Sequence, residues 1–122
     1  MALDLEDFEL AILALLDDPG SVRYTDLSIA EGLRWALTQY IEAKPGSGAL
    51  IKDLDAEPAT TLAAADSINV QVGAAGYCAL MRSISHAETI NMSPGVAENL
   101  RESAEYYLAD FRKILDLYSG KY

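Results

Sequence analysis

Cysteine, histidine and basic residues are scarce in this chain. Cys78 is the single cysteine among 122 residues and cannot close an internal disulfide. That excludes a disulfide-stapled secreted scaffold and fits a reducing compartment. With one His and one Cys, zinc or iron ligation by the usual nitrogen and sulfur donors is nearly excluded. Carboxylates on helices can still build a di-metal centre, but that needs Glu-x-x-His motifs, and the sequence has none. Nine Lys plus Arg stand against nineteen Asp plus Glu, for a net charge of −10. The chain therefore lacks the basic stripe of a free-standing nucleic-acid binder. Long apolar runs are missing too. The longest uncharged stretch, residues 67–81, is too short to span a bilayer and contains Asn69 and Gln71. The start, Met1-Ala2-Leu3-Asp4-Leu5-Glu6-Asp7, is acidic where a signal peptide is basic. These absences lead to the expectation of a soluble, intracellular, acidic protein with no membrane partner and no cofactor.

What is present is enough for one core. Hydrophobic residues make up 51% and charged residues 23%, and a chain of this length buries roughly two-thirds of its unfolded surface. The expected class is all-α: one helical domain over residues 1–122, a compact bundle of about four helices with a long C-terminal helix. Leu5, Phe8, Ile12 and Leu15 recur at helical spacing and place a first helix at 4–16, with Asp4, Glu6 and Asp7 at its positive end. Asp17-Asp18-Pro19-Gly20-Ser21 ends it. Thr25 is the expected N-cap of a second helix, whose face is Ala30, Leu33, Leu37 and Tyr40. Gly32 inside that helix points to close packing against a neighbour. Lys44-Pro45-Gly46-Ser47-Gly48 stops it, with Lys44 complementing the last carbonyls.

Residues 49–57 allow either one helical turn or a short extended arm, with Asp53, Asp55 and Glu57 solvated. A third helix is expected over 67–90, capped by Asp66 or Ser67, with Pro58-Ala59-Thr60-Thr61 as the alternative start of an earlier turn that runs into it. The alternation Ile68-Asn69-Val70-Gln71-Val72 also suits a strand, but strong helix formers follow it without a turn. Gly73, Ala75, Gly76 and Ala79 leave a face with little side chain, where another helix can come close. The fourth helix has Ser93 as N-cap and Pro94 at its first position. Val96, Leu100, Ala104, Tyr107, Phe111, Ile114 and Tyr118 form its stripe, and Ser119-Gly120 ends it. Ile114, Leu115, Leu117 and Tyr118 point in more than one direction, and the excess apolar surface suggests a partner.

Constellations with chemistry are few. His86 and Glu88 are two apart and do not share a helix face. Cys78 sits among apolar residues with no basic neighbour, as a small buried hydrophobe does. Gly73-Ala74-Ala75-Gly76 lacks the strand and the Gly-Lys-Ser/Thr ending of a phosphate loop. Nothing in the sequence orients His86 toward a serine. Glu98, Glu102 and Glu105 with Arg101 and Arg112 read as a solvated face. Tyr106, Tyr107, Tyr118 and Tyr122 cluster at the C-terminal end, and tyrosine is enriched at interfaces. Arg82, in an otherwise uncharged stretch, is a candidate ion-pair partner of Asp66 or Glu31. An enzyme built on the bundle ranks last, because no catalytic group has a motif around it.

Three segments together resemble a known family. Leu15-Leu16-Asp17-Asp18, then Tyr24-Thr25-Asp26-Leu27, then Ala30-Glu31-Gly32-Leu33-Arg34-Trp35-Ala36-Leu37-Thr38-Gln39-Tyr40 resembles the opening of head–tail connector (adaptor) proteins of tailed bacteriophages. Gly73-Ala74-Ala75-Gly76-Tyr77-Cys78-Ala79-Leu80-Met81-Arg82 is similar to the family's small-residue helix, and a long amphipathic helix from Pro94 completes the pattern. Many relatives carry a β-rich insertion after the second helix, whereas residues 45–58 leave room here for a loop or one small hairpin.

The resemblance implies a virion protein at the head–tail junction, assembled in the host cytoplasm. It implies a ring of about twelve identical subunits below the portal protein. Such a ring extends the DNA channel, lets DNA pass without specific binding and offers a platform for the next tail or stopper component. On this reading Phe111, Ile114, Leu115, Leu117 and Tyr118 meet the portal or the adjacent subunit, with Leu5 and Phe8 as weaker candidates. The alternative is a cellular helical interaction module of regulatory or antitoxin-like type.

Overall fold

The computed structural model describes residues 3–21, 23–45, 50–87 and 94–119. Four α-helices follow one another: α1 (Leu5–Leu15), α2 (Asp26–Ala43), α3 (Ala64–Ala87) and α4 (Pro94–Ser119). A 3-10 turn at Leu54–Ala56 lies between α2 and α3. The described residues form no strand, and Ile68 to Val72 are helical. The fold is thus all-α, with α4 its longest helix.

Local chemistry sets the first two helix starts. Asp4 accepts the Asp7 N–H while the Asp7 carboxylate accepts the Asp4 N–H, a reciprocal box at the positive end of α1. Thr25 caps α2 by accepting from Ser28 N–H. The third start departs from the sequence reading. Helix α3 begins at Ala64, so Asp66 and Ser67 lie inside its first turn instead of capping it. Ser67 Oγ bonds the Ala64 carbonyl, and the Asp66 carboxylate is drawn off toward α2. Ser93, Glu88 and Tyr122 lie outside the described residues, as do the side chains of His86, Val96 and Glu98.

Helix α3 is central and touches each of the other three. It runs antiparallel to α2, joined by Tyr24 to Arg82 at one end and Tyr40 to Asp66 at the other. It also runs antiparallel to α4, whose Leu108 and Phe111 cover Gly76 and Gly73. Small residues set these distances. A methyl group at Gly32 would sit 2.7 Å from Cys78 Sγ and 2.9 Å from the Ala74 carbonyl oxygen. A methyl at Gly73 would meet the Phe111 ring at 2.8 Å. Interaxial distance follows the side chains at the crossing, so glycine here brings the helices together.

The core is one cluster. It joins Phe8 and Ile12 of α1, Ile29, Leu33, Ala36 and Tyr40 of α2, Val70, Ala74 and Ala75 of α3, and Phe111 of α4. Trp35 stacks on Tyr77 and tilts against Phe111, tying α2, α3 and α4 together. Residues 50–62 also enter the core. Ile51, Leu54 and Leu62 are buried, while Asp53 and Asp55 stay exposed. Lys52 accepts the Leu5 N–H through its carbonyl, and the Thr60 hydroxyl donates to the Leu3 carbonyl. The extended reading is met at one pairing, Lys52 with Asp4, while the turn at Leu54–Ala56 has positive φ at Asp53, Asp55 and Ala56 and is not a right-handed helical turn.

Candidate docking surfaces

Two places on the bundle combine exposed apolar side chains with organised charge. The first is the end where α2 and α4 finish and α3 begins. Tyr40, fully buried, donates its phenol O–H to Asp66. Lys44 Nζ approaches the two Asp66 oxygens at 3.1 and 3.3 Å. The same ammonium lies 4.5 Å from the Tyr118 ring centroid, and Tyr118 meets Tyr40 edge-on at 5.7 Å. A desolvated carboxylate is tolerated here because both a hydroxyl and a cation face it. The Tyr40 hydrogen bond, then Lys44, hold the Asp66 carboxyl below its ordinary value against the opposing effect of burial. Burial and the Asp66 bond push the Tyr40 phenol well above the usual tyrosine range. The network fixes the last turn of α4 against α2. Lys44 therefore serves Asp66 with its side chain, while its N–H, not its ammonium, closes the end of α2 on the Tyr40 carbonyl.

The residues proposed from sequence for docking separate on this frame. Phe111 and Phe8 are in the core, the first under Gly73 and the second fully buried. They are corrected from docking residues to packing residues, since the bundle itself covers their surface. Ile114, Leu115 and Leu5 are half-buried against that core. Leu117 is 61% exposed, and Tyr118 keeps an exposed edge beyond Lys44. Ile41 is exposed on the last turn of α2, at the same end. Of the other tyrosines, Tyr106 faces outward and Tyr107 donates to the Leu15 carbonyl at 2.7 Å, closing the end of α1.

The second place is a cleft of about 460 Å³ between the start of α2 and the end of α3. Arg23, Tyr24, Leu27, Tyr77, Met81 and Arg82 are among its lining residues. Asp18 holds two of these residues, Arg23 and Tyr24, from behind. Its buried carboxylate accepts the N–H groups of Arg23 at 2.9 Å and Tyr24 at 3.0 Å, which turns the chain from α1 into α2. Arg82 is not an ion-pair partner of Asp66 or Glu31. It donates to the Arg23 carbonyl at 2.8 Å and lies over the Tyr24 ring at 5.4 Å. Asp66 is held by Tyr40 and Lys44, and Glu31 pairs with Arg34 at 2.7 Å.

Sequence reasoning missed this cleft because its two walls are far apart in the chain. The available signals were Leu27 beside a helix cap and Met81-Arg82 closing an uncharged stretch. Cys78, at the base, has its thiol pushed up to about 12 by burial and is not poised as a nucleophile.

Among the described residues, no group of three or more His, Cys, Asp or Glu side chains gathers in a way that would hold a metal ion. No described helix is long and apolar enough to cross a membrane. No protein-family model, no curated protein and no solved structure matches this chain.

Proposed function

We propose that this chain is a non-catalytic assembly subunit that acts as a head–tail connector. It would form a ring on a portal, extend the DNA channel and carry the next tail or stopper component. The observation that carries the reading is the end of α4. Leu117 and Tyr118 stand exposed on a turn that the Tyr40–Asp66–Lys44 network holds in place. A rigid apolar projection lowers the ordering cost of docking.

Two further features support the reading. Two of the segments that carry the family resemblance, Leu15 to Asp18 and Tyr24 to Leu27, are joined by the hydrogen bonds of Asp18 to the Arg23 and Tyr24 N–H groups, next to the Thr25 cap. A net charge of −10 suits a passage through which DNA slides without sticking. The test is negative-stain imaging of the protein mixed with a portal ring from its own genome. Added ring density with one subunit per portal subunit is expected, and Leu117→Asp should abolish it while leaving the helical fold intact. A stable low-order oligomer that ignores the portal would overturn the reading in favour of a cellular interaction module.

A further inference from the structure

The cleft joins apolar surface to two arginines, Arg23 and Arg82, and its one lining carboxylate, Glu31, is paired with Arg34 at 2.7 Å. Leu27, 69% exposed, and Met81, 41% exposed, stand on its rim. The Arg23 guanidinium is already engaged, 3.8 Å from Asp18 and donating to the Asp17 carbonyl at 2.6 Å. Arg82 differs. Among the described residues it faces the Arg23 carbonyl and the Tyr24 ring but no carboxylate within ion-pair distance. A guanidinium carries five N–H donors in a plane and clamps carboxylates in a two-pronged geometry. The volume lies within the range of about 300–1,000 Å³ typical of binding sites, so it has room for an anchoring side chain.

A complementary surface lies on α1. Leu10 is 57% exposed on its outer face, with Glu6 and Asp7 one turn before it and Ala14 one turn after, all exposed. The first 22 residues carry six acids and no base. The Glu9 carboxyl beside them is pushed up by burial, then by Asp26, Glu6 and Asp4. An apolar knob flanked by carboxylates faces outward here, and a cleft with an apolar rim of Leu27 and Met81 beside Arg82 faces outward at the α2–α3 edge.

We propose that the outer face of α1 in one copy of this chain docks into the α2–α3 cleft of a second copy, Leu10 entering between Leu27 and Met81 and Glu6 meeting Arg82. The contact joins two different surfaces, so it can repeat from copy to copy and close a ring. It rests on the self-assembly part of the connector reading and is independent of portal binding.

The test is a charge exchange in the full-length chain, read by sedimentation velocity over a concentration series, free and with the portal ring. Arg82→Glu and Glu6→Arg should each weaken self-association about tenfold or more. The two together in one chain should restore it, which a merely unfolded variant cannot do. Leu10→Glu, at a site outside the core, should weaken association without changing the melting temperature. A wild-type chain that stays monomeric in both settings overturns the proposal, as does unchanged association in the single variants or a double variant that is not rescued. If the portal ring still recruits all these variants as rings, the connector reading stands and this contact falls. If the exchange behaves as expected but the portal is ignored, the contact stands without the connector.

Discussion

Replacing Gly32 by alanine sets two effects of known sign against each other. Alanine is better than glycine in a helix interior by about 1 kcal/mol. Gly32 is in the middle of α2, so that gain is available. The methyl, however, would sit 2.7 Å from Cys78 Sγ and 2.9 Å from the Ala74 carbonyl oxygen. Ordinary contact between such atoms is about 3.5–4.0 Å. The carbonyl belongs to the α3 backbone and cannot rotate away, so relief requires the two helices to separate. Separation strains the Tyr24–Arg82 contact at one end and the Tyr40–Asp66 bond at the other. Overpacking of this kind costs about 1–3 kcal/mol, and a clash with backbone belongs at the upper end.

The expected net result for Gly32→Ala is a loss of about 1–2 kcal/mol, seen as a lower urea midpoint at unchanged slope. At about 4 °C per kcal/mol, the melting temperature should fall by about 4–8 °C. Adding Cys78→Ala removes the sulfur but leaves the carbonyl. The double variant should therefore be less destabilised than the sum of the singles. A Gly32→Ala protein as stable as the wild type, or more so, would refute the reasoning, because helix propensity would then be acting without opposition. Strict additivity with Cys78→Ala would show that the sulfur does not meet the methyl.

Two other perturbations probe the polar groups that hold the frame. Asp18→Ala leaves the Arg23 and Tyr24 N–H groups without their acceptor, which should cost about 2–4 kcal/mol in urea denaturation. Asp18→Asn should cost less, and a loss under about 0.5 kcal/mol for the alanine would mean that water serves the corner equally well. The Asp66 carboxyl is held low by Tyr40 and then Lys44, so its folded value lies below its unfolded one. Its stabilisation is complete above the unfolded value of about 4 and is lost as pH falls through the folded value. Asp66→Asn should lower stability at neutral pH and flatten the acid limb of the urea midpoint against pH; an unchanged limb would contradict the assignment.

The cap of α2 was legible in the sequence because its chemistry is local: Thr25 needs only the Ser28 N–H three residues on. At α1 the sequence places Asp4 inside the first turn, whereas Asp4 stands just before the helix as its cap and exchanges hydrogen bonds with Asp7. The start of α3 was not legible, for a physical reason. Asp66 has the right type for a cap, but Tyr40 and Lys44, more than twenty residues earlier, offer its carboxylate a hydroxyl and a cation. That partnership is tertiary and leaves no trace in local spacing. Arg82 follows the same rule, drawn to the Arg23 carbonyl and the Tyr24 ring instead of a carboxylate.

The glycines stand between these cases. Gly32 and the small face of α3 announced close approach, but not which neighbour would arrive. Phe111 shows why that matters. Its position on the apolar stripe of α4 is equally consistent with core and with docking surface. What decides is the flat patch at Gly73, where an aromatic ring fits only because no side chain is there. Once Phe111 is seated, the helix phase is fixed. Ile114 and Leu115 turn toward the core, and Leu117 projects from the bundle. The partition of α4 into packing and docking residues is therefore written on α3. The outward set, Leu117 with the exposed edge of Tyr118, follows from a glycine on another helix.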